Sequence, residues 1–150
     1  MREIKFRVWD KDLKHMHIVG TGHHDSIVFG KNNRFEYRNM QNGCGSGDES
    51  DTYILMQFTG VLDKNKKEIY EGDIVICKEY PFFGDDGLTE LNYVGEIFIS
   101  EEGDGYYLDL HAVSSRVSGR ACGESISEYM GKLEVIGNIY QNPELLEDRK

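Results

Sequence analysis

The chain of 150 residues is short of several things at once, and each shortage removes a class of protein. It holds only two prolines, too few for a proline-rich linker or recognition tail. Its three cysteines, Cys44, Cys77 and Cys122, are widely spaced with no C-x-x-C pair. An odd count without zinc-ligand spacing argues against a disulfide framework or zinc finger and fits free thiols in a reducing compartment. No apolar run approaches the roughly 20 residues of a membrane span. The opening MREIKFRVWDKD has no apolar core of the kind a secretory signal needs, so a cytoplasmic protein is the expectation.

Positive charge is scarce too. Lys and Arg number 17 against 27 Asp and Glu, a net charge of −10. The distribution is uneven: residues 1–47 carry +3, residues 48–110 carry −12 and residues 111–150 carry −1. An acidic surface repels the phosphate backbone that dominates nucleic-acid affinity, so direct nucleic-acid binding is disfavoured. A basic partner, or solubility alone, suits the charge better.

What is present is glycine, at 17 residues, and aromatics, with nine Tyr and seven Phe. Many turns with many aromatics point to strands. Strand periodicity supports this. In Glu3–Trp9 the apolar Ile4, Phe6 and Val8 alternate with Glu3, Lys5 and Arg7. Asp10-Lys11-Asp12 turns the chain, and Lys14–Val19 returns with Met16 and Ile18 on one face. Trp9 falls on the charged face, either capping a core edge or sitting at an interface. Ile27–Phe29 and Arg34–Tyr37 read as short strands. Residues 39–52 have no apolar period and read as a flexible loop. Tyr53–Val61 is the clearest strand, followed by a turn at Asp63–Lys67, a tight bend at Glu71-Gly72-Asp73 and the buried run Ile74-Val75-Ile76. Tyr93–Ser100 and Gly105–His111 form another hairpin, and Leu133–Tyr140 a last strand. Ser125 with Glu128 has capping-box spacing for a short helix stopped by Gly131. Asn142-Pro143 opens a terminal helical turn with Asn as cap and Pro at the first position.

The expected fold is therefore mainly β, a β-rich α+β chain. A small bent sheet or SH3-like barrel is built from residues 53–111 and 133–140, with an N-terminal hairpin and one or two short C-terminal helices. It is read as one domain: a hairpin region at 1–38, the loop at 39–52 and a barrel-like core at 53–150.

Three blocks stand out together: MREIKFRVWD at 1–10, YILMQFTGVLDKNKKEIYEGDIV at 53–75, and LEVIGNIYQNPELLE at 133–147. In this order and spacing the chain resembles the YopX family of phage and prophage proteins. The blocks cover about a third of the chain. The resemblance implies a small β-rich phage accessory protein that self-associates, and it brings no catalytic residues. The matched residues read as fold determinants: Gly60 and Gly72 for turns, Ile74 and Val75 for a core, Asn138 for a bond across a strand edge. In one place the chain departs from the family, with Asn65-Lys66 where members commonly have Asn-Gly. Lysine resists the positive φ that glycine takes freely, which argues against a sharp two-residue turn there.

No set of residues has the spacing of a catalytic site. His15 and His17 share one face of a strand, with His23 and His24 a few residues on, and such a group is the candidate set for a metal. Their pattern matches no zinc motif, and a polar strand face plus a loop accounts for them. Glu68, Glu71 and Asp73, together with Glu101, Glu102 and Asp104, flank glycines in turns, where solvated turn chemistry explains them. Gly43–Gly47 lacks the strand–loop–helix frame of a phosphate-binding loop. Cys122 has no histidine fixed beside it for activation. Tyr80, Phe82 and Phe83, with Asp85 and Asp86, form an acidic aromatic loop of the kind enriched at protein interfaces, and Trp9 joins them as an interaction candidate. No cofactor is expected. The leading expectation is a non-enzymatic protein that binds another protein. The alternatives are a metal-dependent hydrolase or nuclease using the histidines, and a structural homo-oligomer.

Overall fold

The structure is a computed structural model. It describes residues 3–20, 26–31, 34–38, 52–77, 93–99, 105–112, 120–125 and 131–146, with only the backbone of residues 93, 107–112 and 120–125. The chain is mainly β, and its strands include a sheet curled into a half-barrel. Two compact units share it, Met1–Gln57 and Phe58–Lys150, and the division falls within one long strand. Among the described residues no helix is long and apolar enough to cross a membrane.

In the first unit, β1 (Phe6–Asp10) lies between β2 (His15–Ile18) and the first half of β5 (Tyr53–Leu62), antiparallel to both. β3 (Ser26–Phe29) and β4 (Phe35–Arg38) form a separate hairpin. The period-2 pattern places β1 correctly but not its surfaces. Arg7, Val8, Trp9 and Asp10 are all buried, so the face assigned to solvent is covered as well. On that face the Arg7 guanidinium donates from Nη2 to Met56 Sδ at 3.6 Å, and the stem and indole of Arg7 and Trp9 pack as apolar matter. Within the chain Trp9 takes the packing role of the two expected for it.

On the other face, cross-strand register puts Val8 opposite His17 and Leu55, and Asp10 opposite His15 and Tyr53. The hairpin covers this face. Phe29 meets Phe6 at 5.4 Å between ring centres, and the fully buried Tyr37 meets His17 at 5.5 Å and Tyr53 at 5.3 Å.

The second unit starts with the end of β5, which pairs with β6 (Glu68–Tyr70) through a register shift between Phe58 and Leu62. Gly60 sits in that shift at φ 87°, which only glycine adopts without cost. Thr59 fastens it, its hydroxyl donating to the Ile69 carbonyl at 2.8 Å and accepting from Val61 N–H at 3.2 Å. A five-stranded antiparallel sheet follows in the order β10-β9-β8-β7-β11, formed by Arg120–Ser125, Tyr106–Ala112, Tyr93–Ile99, Asp73–Cys77 and Leu133–Asn138. Ile74 and Val75 of the expected run are fully buried, as are Cys77 and Ile97, while Ile76 is half-buried. Among the described residues β10 and β11 are the sheet's outer strands.

One expectation is corrected here, and one strand forms that no periodicity announces. Ser125, expected to cap a short helix, ends a strand, and the helix it would cap lies outside the described residues. Arg120–Ser125 has no alternating hydrophobicity, and its pairing to β9 through a shift between Ala121 and Glu124 comes from the sheet, not from its own side chains. Asn138 does not bond across a strand edge. Its Oδ1 accepts from Tyr140 N–H (3.0 Å) and Gln141 N–H (2.9 Å), closing the turn after β11. The terminal helical turn at Pro143–Leu146 is present as a 3₁₀ turn.

The turn at Asp63–Lys67 resolves the question raised by Lys66. It is a three-residue loop: Lys66 N–H donates to the Asp63 carbonyl at 3.0 Å and Asp63 N–H to the Lys67 carbonyl at 2.7 Å. Lys66 itself takes φ 68°. A type I turn followed by a left-handed residue does not need the two-residue geometry. Asp63 fixes it: Oδ1 accepts from Asn65 and Lys67 N–H at 2.7 and 2.9 Å, and Oδ2 from Val135 N–H at 3.1 Å. Together with the Lys64 N–H to Leu133 carbonyl bond at 2.8 Å, this turn covers the outer edge of β11.

Candidate functional site

Chemistry-bearing side chains gather in the first unit, on the covered face of β1 and β2. The local cause is a hairpin turn. Asp10 ends β1, and its Oδ1 accepts from Asp12 and Leu13 N–H, each at 3.0 Å, while Lys14 takes the left-handed φ of 50°. The loop 11–14 brings His15 directly opposite Asp10 and puts His17 on the same face. With Oδ1 occupied, Oδ2 of Asp10 faces His17 Nε2 at 3.7 Å. That gap is within ion-pair reach but too long for a hydrogen bond. Both side chains are buried, 10% exposed for His17 and 5% for Asp10. His17 Nε2 makes no hydrogen bond.

His15 meets His17 edge-on, with ring centres 4.6 Å apart. The structure thus corrects the reading of a polar outer face for His17, while His15 remains exposed. Alternation in the four residues of β2 assigns Met16 and Ile18 to the core, yet Ile18 is 47% exposed and His17 lies under Tyr37. A four-residue strand with two histidines gives hydrophobicity too little contrast to choose a face. Among the described residues, no three His, Cys, Asp or Glu side chains stand grouped as metal ligands.

The other candidates divide simply. His23, His24, Tyr80, Phe82, Phe83, Asp85 and Asp86 lie outside the described residues. Asp73 is buried and accepts from Tyr70 N–H at 2.8 Å, and Glu68 accepts from the Tyr70 hydroxyl at 2.9 Å. Glu68 starts β6 and Asp73 starts β7, so both tie down the β6–β7 connection through Tyr70. Asp10 is the residue that sequence reading passed over: it was counted only as a turn former. The signal was the loop length, since a four-residue connection pairs position 10 with position 15.

A second feature is the outer edge of β3. β3 pairs with β4 alone among the described residues. Gly30 N–H donates to the Arg34 carbonyl at 2.8 Å. Continuing that alternation along the register directs the backbone of Val28 and Ser26 toward β4 and that of Ile27 and Phe29 outward. Val28 and Phe29 are 50% and 59% exposed. This strand is apolar on both faces beside an open edge.

Comparison with known proteins adds the following. The family model described as YopX protein matches residues 5–147. Among solved structures the chain is similar to protein EF1440 from Enterococcus faecalis, known from its crystal structure. The two share 25% identity over 98% of this chain and 100% of that one, with a TM-score of 0.54. No curated protein matches.

Proposed function

The chain belongs to the YopX family, and on that footing we propose that it acts by binding another protein, not by catalysis, with the outer edge of β3 as the docking strand. The observation that carries this reading is the pairing of a backbone edge open among the described residues with exposed Val28 and Phe29. An edge strand left bare and apolar is a template for a strand from another chain, and main-chain bonds at Ile27 and Phe29 would supply the affinity. The occupant is a basic protein of the host, in keeping with the −10 net charge and with an accessory role in a phage or prophage, or a second copy of this chain, which would have to associate against like charge.

The test uses Ile27→Pro. Proline at 27 removes an outward N–H and leaves the ladder to β4 intact, because the bonds to β4 come from positions 26 and 28. Val28→Lys is the companion, placing a charge beside the edge. Sedimentation velocity over a concentration series reads self-association, and affinity capture from host lysate reads a foreign partner. Both variants are expected to fold and to lose the association that the parent shows. Equal association in parent and variants, or none in the parent by either measurement, removes the reading.

A further inference from the structure

We infer that Asp10, His15 and His17 form a binding site for a divalent first-row transition ion of borderline softness, of which Zn²⁺ is the simplest case. This does not depend on the β3 edge and concerns the opposite end of β1.

The three residues share one sheet face through the register of the β1–β2 hairpin, with Asp10 opposite His15 and His17 two residues along. Two of them already converge. Asp10 Oδ2 and His17 Nε2 stand 3.7 Å apart, both side chains nine-tenths or more buried, and the nitrogen has no hydrogen-bond partner. A buried ring nitrogen left unbonded beside a carboxylate oxygen costs free energy unless something joins them. A tetrahedral ion bound at ~2.0–2.1 Å holds neighbouring ligand atoms about 3.3 Å apart, so a small closing movement suffices. The second oxygen of Asp10 is held by Asp12 and Leu13 N–H at 3.0 Å each, which fixes the orientation of the carboxylate as outer-shell partners of metal ligands do. His15 is the third ligand. It is exposed, so its ring can turn without displacing core, and it already lies 4.6 Å from the His17 ring. The set as it stands is not gathered on one point among the described residues; rotation of His15 is the step that gathers it. Two imidazoles and one carboxylate favour Zn²⁺, Co²⁺, Ni²⁺ or Fe²⁺ over Ca²⁺ and Mg²⁺, which take oxygen ligands. The plain rival is an ion pair between protonated His17 and Asp10, which needs no metal.

The experiment is a titration of the tag-free full chain with Co²⁺, read by its visible absorption, followed by displacement with Zn²⁺. One equivalent is expected to bind, more weakly as acid protonates the imidazoles. His17→Gln and Asp10→Asn are each expected to weaken binding by about 10–100-fold or more, since these are ligands and not outer-shell groups. His15→Gln, at an exposed position, folds whatever happens in the core and is expected to weaken it as well. Asp10→Asn keeps an oxygen for the two turn bonds, so circular dichroism of that variant should match the parent. The inference falls if no Co²⁺ band develops. It also falls if the three variants bind as the parent does, or if His23→Gln with His24→Gln abolishes binding while His17→Gln does not.

Discussion

The two units differ in how completely they satisfy their buried polar groups. In the second, Thr59, Asp63, Asp73 and Asn138 are all buried, and each spends its side-chain oxygen on a backbone partner. The outer strand β11 is covered by the turn at Asp63. In the first, His17 Nε2 is buried without a hydrogen bond, and β3 has an open apolar edge among the described residues. A polar group satisfied by its own turn rigidifies the fold; one left with capacity beside another is available for a ligand. The satisfied framework and the features on which binding is proposed are therefore separated along the chain.

The sharpest way to break this contrast is to remove the carboxylate from each turn. Asp63→Ala strips acceptors from three backbone N–H groups, one of them 72 residues away at Val135. It should cost about 3 kcal/mol in urea unfolding, because the Val135 bond ties the turn to the sheet and its donor cannot be fully rehydrated. Asp10→Ala strips two N–H groups of its own hairpin and should cost about 1–2 kcal/mol. If Asp10→Ala proves the costlier of the two, the assignment of framework to the second unit is wrong.

These two aspartates also mark where sequence reading stops. Both were legible as turn residues, because Asp in a polar stretch between periodic segments has a local mechanism. Neither revealed its second partner, since Val135 and His17 are brought close only by pairing. The same limit explains β1 and β10. Alternation located Phe6–Asp10 but could not show that Arg7 and Trp9 are buried too. Arg120–Ser125 becomes a strand because β9 offers an edge, with no pattern of its own. The continuous run at Ile74–Ile76 was legible, since its hydrophobicity demands burial whatever its neighbours do. The β3 edge was half legible: the strand was readable, the open edge was not.

A smaller effect is expected at Gly137, where the register of β11 shifts between Val135 and Gly137. A Cβ there would stand 2.5 Å from Asn142 Oδ1 and 2.9 Å from Asn142 Cβ. The Asn142 side chain is also the acceptor for Asn138 N–H at 3.3 Å, so moving it loosens the terminal turn. Gly137→Ala should cost about 1–3 kcal/mol by chemical denaturation. A neutral result would mean that Asn142 swings aside freely and that this turn is less rigid than Asp63's.

The smallest expected effects run in the opposite direction and compare the units at a matched position. Each hairpin turn contains one lysine in the left-handed region, Lys14 at φ 50° and Lys66 at φ 68°. A side chain in that conformation costs roughly 1–2 kcal/mol, from which glycine's larger unfolded-state entropy must be subtracted. Lys14→Gly and Lys66→Gly should therefore each stabilise by about 0.5–1 kcal/mol, visible as a raised midpoint in thermal unfolding. Both lysines are exposed, so little packing is lost with either side chain. Lys66→Gly should raise the midpoint of the whole transition if the second unit is the framework on which cooperative unfolding depends. Lys14→Gly should act on the first unit, and if the two units unfold separately it will move only one of two transitions. Two resolved transitions, each answering to one lysine, would establish the units as independent folding bodies. One transition answering equally to both would show that the strand they share couples them.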